Sequence, residues 1–148
     1  MRLTKNFLPY IRTAISFLLL LTVVGCASMS SGGKQGVVIQ VSDDSPVTWN
    51  QALNVAQNVP QLLGQDKVTV EIVAFGKGIG MLKFDSEVGQ RLASAKNDGV
   101  AIRACGVTMK KAKLTDKDLY PDAGITVVPA GVVEIMTKHN EGWFVIRP

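Results

Sequence analysis

Short apolar runs alternate with amphipathic segments along most of the chain. The runs lie at residues 37–41, 68–75, 100–105, 125–128 and 143–146. Nearly every residue of the first run is apolar, as in a strand that is covered on both faces. The alternation of such strands with helical segments predicts βαβ units, and hence an α/β domain over residues 36–148 with a mainly parallel sheet.

The segments between the runs carry the signals of helices. Helices are predicted over residues 46–63, 86–97, 108–113 and 132–139. Ser45 and Pro46 are typical of an N-cap and a first helical position, and Gly64 is typical of a helix end. Pro60 lacks an amide hydrogen, so it predicts a kink or an end of the first helix near Val59.

The second strand is followed by the glycine-rich stretch Gly76-Lys77-Gly78-Ile79-Gly80. Such a loop can bind a phosphate through its backbone N–H groups. However, it lacks the Lys-Ser/Thr pair of a P-loop, and it does not follow the first strand as a dinucleotide fingerprint does. The stretch therefore predicts a tight turn with positive φ, and a nucleotide or phosphate binder is the weaker alternative.

Cys105 ends the third run and is followed at once by Gly106. Ligands of open α/β sheets bind outside the carboxyl ends of the strands, so this thiol is predicted to face a ligand crevice. The N–H groups of the next helix would favour the thiolate, as would Lys110. The alternative is a buried cysteine that packs as a small hydrophobe. The candidate site has Cys105 as its reactive group, and its pocket residues are Ser42, Asp43, Gly76, Gly106 and Lys110.

The first 25 residues have the outline of a signal peptide. Three basic residues precede an apolar run at 14–24 that is too short to span a bilayer, and Val23-Val24-Gly25-Cys26 resembles the bacterial lipobox. An uncleaved anchor or an ordinary signal peptide is the alternative. Lipidation of Cys26 would attach the chain to a bilayer through a flexible tether, residues 26–35. Because Ala27 is not aspartate, the expected location is the periplasmic face of the outer membrane rather than the inner membrane.

Charge and histidine content narrow the function further. The net charge is +4, but removing the signal peptide leaves 13 basic and 12 acidic residues, so the sequence predicts no nucleic-acid partner. The one histidine, His139, lies far along the chain from any cysteine or carboxylate cluster. The sequence therefore predicts no metal site, and no cofactor is expected.

Several segments together resemble the DsrE-like family of small sulfur-relay proteins. The resemblance covers residues 36–148 and rests on residues 38–43, 49–54, 73–76, 104–106, 108–109, 131–135 and 142–143. It implies a three-layer α/β/α domain of the flavodoxin-like type, with a five-stranded parallel sheet, that assembles as a homotrimer or homohexamer. In some members a strand-end cysteine carries sulfur as a persulfide, and Cys105 stands at that position.

The resemblance implies a sulfur carrier or sulfurtransferase-like protein, whose partner would be a protein that donates or accepts sulfur. A hypothesis of a different class is a non-catalytic oligomeric module that binds a small ligand or a partner. That module predicts a buried Cys105 that can become serine without loss of function.

Overall fold

The computed structural model describes residues 33–148. The predicted signal peptide, the lipidation site Cys26 and most of the tether lie outside the described residues. In the described part, no helix has the length and hydropathy that crossing a membrane requires.

Five parallel strands form one sheet, as the apolar runs predict. The strands are β1 (Gln35–Val41), β2 (Val68–Ala74), β3 (Ala101–Cys105), β4 (Thr126–Val128) and β5 (Phe144–Ile146). Their order across the sheet is β4-β3-β2-β1-β5, and all four neighbouring pairs are parallel. The predicted fold class is therefore confirmed, a three-layer α/β fold of the flavodoxin-like type.

Four α-helices and three short 3-10 helices connect the strands. The α-helices are α1 (Pro46–Leu63), α2 (Gly89–Asn97), α3 (Gly106–Ala112) and α4 (Gly131–Asn140). The 3-10 helices span Gly76–Leu82, Asp116–Asp118 and Pro121–Ala123. The Ser45 hydroxyl caps α1 and Gly64 ends it with φ at 104°, as predicted.

The helices cover the two faces of the sheet unequally. α1, α2 and Met109 of α3 pack in one large core with the residues of β1, β2 and β3 that face them. On the other face, Ile135 of α4 packs on Val38 and Val73 in a much smaller cluster. The connection after β3 therefore runs to the large core, whereas the connection after β4 runs to the opposite face.

Beside the small cluster, a buried ion pair joins β2 to β3. Arg103 Nε donates to Glu71 Oε2 at 3.0 Å, and Glu71 is only 2% exposed. Burial raises the pKa of Glu71, although its hydrogen bond and charge interaction with Arg103 oppose the shift.

Two local predictions are corrected. α1 does not end near Val59, since it continues through Pro60 to Leu63. Pro60 is buried and lies in the last turn, where its missing N–H removes only one helical bond. α2 begins at Gly89 rather than Ser86, because the Ser86 hydroxyl accepts the Val88 N–H at 3.4 Å and forms a turn there.

The glycine-rich stretch is a 3-10 helix rather than a simple turn. Gly76 has φ at 56° as predicted, but Gly78 and Gly80 do not adopt positive φ. Gly78 is needed for close packing instead, because a Cβ there would overlap the carbonyl group of Val41. The stretch is thereby fixed against the end of β1.

Candidate functional site

The candidate site lies between the carboxyl ends of β3 and β4. These strands are neighbours, and Cys105 is paired with Val128 in the register. The chain leaves them toward opposite faces of the sheet, and open α/β sheets bind ligands at strand ends of this kind. Cys105 lies at the end of β3.

Cys105 is both the last residue of β3 and the N-cap of α3. It is a free cysteine in the described part of the chain and is 5% exposed. Among the described residues, its side chain makes no capping hydrogen bond to the start of α3. The first N–H groups of α3 therefore lie near the sulfur and have no side-chain cap there.

Two glycines let the starts of α3 and α4 approach each other closely. A Cβ on Gly106 would lie 3.0 Å from the Val128 carbonyl oxygen, and one on Gly131 would lie 3.2 Å from Cys105 Cβ. The Val107 N–H donates to the Pro129 carbonyl at 3.2 Å, which ties the two starts together. Larger residues at either glycine would push α4 away from the thiol.

Thr108 connects the site to the end of β2. Its hydroxyl oxygen accepts the Gly76 N–H at 3.0 Å. The hydroxyl proton is not used in that bond, and the Thr108 hydroxyl is one of the groups that lower the pKa of Cys105. The Gly76 N–H therefore holds the Thr108 hydroxyl oxygen and leaves the hydroxyl free to donate elsewhere.

The pKa of the Cys105 thiol is lower than its ordinary value of 9.0. Burial alone raises the pKa, but the donors outweigh it: the Thr108 hydroxyl and the backbone N–H groups of Gly131, Thr108 and Val107. Because each donor stabilises negative charge on the sulfur, the surroundings favour a thiolate. The Val107 N–H is shared with Pro129, so we attribute the shift chiefly to Thr108 and Gly131.

Three of the sequence-predicted residues lie together. Cys105 and Gly106 are consecutive at the end of β3, and Gly76 is joined to the same place through Thr108. Gly76 itself lies beside β1, since a Cβ on it would be 3.5 Å from the Ser42 carbonyl oxygen. Ser42 therefore contacts the site through its backbone carbonyl, beside Gly76.

Asp43 and Lys110 have other surroundings. The Asp43 carboxylate accepts the Ser45 N–H at 3.1 Å, and its carbonyl oxygen accepts the Trp49 indole N–H at 2.9 Å. Asp43 therefore organises the start of α1, and β2 separates its strand from β3. Lys110 is exposed on α3, and the groups that shift the pKa of Cys105 do not include it.

Sequence reasoning did not select Thr108 or Gly131 as site residues. Thr108 lies only three residues after Cys105, but its bond to Gly76 joins residues 32 apart, and Gly131 lies on a different strand connection from Cys105. A usable signal was the glycine at the predicted helix start after the fourth strand, which stands at the same kind of junction as Gly106.

Comparison with known proteins adds a relative but not an activity. A protein of unknown function from Methanobacterium thermoautotrophicum, MTH1491, is 30% identical with a TM-score of 0.67, over 78% of this chain and 100% of that one. The chain belongs to the same family as that protein. A protein of unknown function from Bacteroides thetaiotaomicron, BT1422, is 18% identical with a TM-score of 0.63, over 77% and 95% of the two chains, and shares the fold. No protein-family model and no curated protein matches the chain.

Proposed function

We propose that the protein is a membrane-tethered, periplasmic sulfur carrier of the DsrE-like type, in which Cys105 accepts and passes on sulfane sulfur. The observation that carries the proposal is the convergence of Thr108, Gly131 and the start of α3 on one strand-end thiol whose pKa is lowered. A thiolate is the form of cysteine that attacks sulfur.

The proposed step is an exchange between persulfides. The Cys105 thiolate attacks the outer sulfur of a donor persulfide, R–S–SH, and the donor S–S bond breaks as the new S–S bond forms. The products are a persulfide on Cys105 and the donor thiolate, R–S⁻, so no oxidant or reductant is consumed. Because Cys105 is only 5% exposed, we expect small donors to react faster than bulky ones.

The tether is proposed from the sequence of the first 35 residues. Acylation of Cys26 would hold the domain at a bilayer, with the outer membrane favoured because Ala27 follows the cysteine. The partner proposed for the thiol is a protein that donates or accepts sulfur.

Intact mass of the chain comprising residues 33–148 tests the carrier function. We expect a gain of one sulfur atom after exposure to a sulfane-sulfur donor, and its removal by a reducing agent. Cys105→Ser is the matched control, since it keeps a small polar group at the same place, and it should gain nothing. An unchanged mass of the wild-type chain would contradict the proposal.

A second candidate is an oligomeric module that binds a small ligand or a partner without sulfur chemistry. The burial of Cys105 favours it, as do the apolar residues exposed on α4 (Val132, Val133, Met136) and on β5 (Phe144, Val145). We propose that these residues form the interface of a homotrimer or homohexamer.

Sedimentation velocity tests this interface. Val133→Lys and Met136→Lys should each shift the assembly toward monomer, because a charge would be buried there. Gln51→Lys is the control, since Gln51 is an exposed polar residue of α1, on the other face of the sheet. A wild-type chain that sediments as a monomer would contradict the oligomer.

A further inference from the structure

Two leucines at the end of α1 are exposed, although a hydrogen-bonded cap closes this end of the helix. Leu62 is 83% exposed and Leu63 is 51% exposed. The Gly64 N–H donates to the Pro60 carbonyl at 2.9 Å, and this bond fixes the turn that contains both leucines. Adjacent leucines held in water by a fixed turn mark a contact surface more strongly than scattered ones do.

These leucines lie at the edge of the sheet where the chain enters the domain. Just after them, the Gln65 carbonyl accepts the Lys34 ammonium at 3.4 Å and the Lys67 carbonyl accepts the Gln35 N–H at 2.7 Å. The loop after α1 is therefore bonded directly to the first described residues of the chain. Lys34 and Lys67 add two positive charges beside Asp66.

We propose that Leu62 and Leu63, with Lys34 and Lys67, form a surface that rests on the bilayer. The inference depends on the proposed lipidation of Cys26. Gly33 lies seven residues after Cys26, so the greatest distance between them is about 25 Å at roughly 3.5 Å per residue. A lipid on Cys26 thus keeps this edge within reach of the membrane, where leucine side chains enter the interface and lysines meet anionic headgroups.

This contact fixes which way the candidate site points. All strands are parallel, so the amino-terminal edge carries the leucines and the opposite edge carries Cys105. β1 has seven residues and spans about 20 Å at roughly 3.3 Å per residue. The thiol therefore faces away from the lipid and toward partners in the aqueous compartment.

Quenching by brominated phospholipid tests the surface in the full acylated chain, reconstituted in vesicles of phosphatidylethanolamine and phosphatidylglycerol. Leu62→Trp should lose about half of its added fluorescence, because the ring would lie at the acyl boundary. Val47→Trp is the matched control: Val47 is 67% exposed at the other end of the same helix, and its added fluorescence should stay unchanged.

Equal quenching of the two variants, or of neither, would overturn the inference. It would also be overturned if Leu62→Glu with Leu63→Glu dissociates an oligomer in detergent, because the surface would then bind a second copy of the chain. Intact mass separates the causes. If intact mass shows no lipid on Cys26, the proposed tether is wrong, and the surface proposal falls with it. If the chain is acylated but fails the quenching test, only the surface proposal is wrong, and the sulfur step of Cys105 is unaffected.

Discussion

The strand-to-helix junctions after β1 and β3 lie at the same edge of one sheet but use their polar groups differently. After β1, the Ser45 hydroxyl accepts the Thr48 N–H at 3.5 Å and the Asp43 carboxylate accepts the Ser45 N–H at 3.1 Å. After β3, the cap is Cys105, whose sulfur the start of α3 surrounds without a regular capping bond among the described residues. One junction satisfies its donors internally, and the other directs them at a thiol.

The difference shows how the same local geometry can provide stability or chemistry. Donors that are already paired with a serine or an aspartate have little left to offer a ligand. Donors that surround a cysteine stabilise a negative charge when the thiol ionises. The variants below test this comparison in order of expected effect.

Gly78→Ala should have the largest effect, on the β1 junction. The new Cβ would overlap the Val41 carbonyl group, and backbone atoms cannot move aside as a side chain can. We expect the free energy of unfolding in urea to fall by about 3 kcal/mol. Gly33→Ala is the control, since a Cβ there has no neighbour within 4 Å in the described part of the chain. Equal stability of the two variants would contradict the close packing.

Thr108→Val should raise the pKa of the Cys105 thiol, because it removes the hydroxyl and keeps the shape. Alkylation of the native protein at neutral pH should slow several-fold, since less thiolate is present. Thr108→Ser should restore most of the rate. If valine and serine give the same alkylation profile, the hydroxyl does not act on the sulfur.

Replacing the two caps should separate the junctions by stability. Ser45→Ala should cost about 1 kcal/mol of unfolding free energy, because a paired N–H loses its acceptor. Cys105→Ser should change it by less, about 0.5 kcal/mol, because a hydroxyl can accept from the same donors. Urea unfolding of both variants measures the contrast, and a larger loss for Cys105→Ser would reverse it.

The smallest expected effect is on the pH dependence of stability. Since the folded pKa of Cys105 lies below the ordinary value of 9.0, the thiolate adds stability that is fully present above pH 9.0. That contribution is lost as pH falls through the folded pKa. The stability difference between wild type and Cys105→Ala should therefore grow as pH rises toward 9.0, and a constant difference would contradict it.

The sequence predicts the fold well because its signals are local. Pro46 and Gly64 mark the ends of α1, and the apolar runs mark all five strands to within two residues. In α1, only the effect assigned to Pro60 was wrong, because the alternative helix end near Val59 does not occur and α1 runs on to Leu63. In the last turn the missing N–H of proline removes only one helical bond, so its local cost is small.

The site is only partly predictable, for a related reason. Cys105 and Gly106 are visible because a strand end and a helix start are adjacent in sequence. The bond from Gly76 to Thr108 and the approach of Gly131 depend on which strands are neighbours, and the order β4-β3-β2-β1-β5 is not encoded in any single segment. Asp43 was expected in the pocket of Cys105, but its carboxylate instead accepts a hydrogen bond from the Ser45 N–H at the start of α1.

The pH profile of Cys105 alkylation tests the central claim most directly. The chain comprising residues 33–148 contains Cys105 as its single cysteine. Its rate should be measured against pH in the native state and again in urea, where the donors are dispersed. We predict a native midpoint at lower pH than the unfolded one. A native midpoint equal to or above the unfolded midpoint would contradict a thiolate-stabilising site.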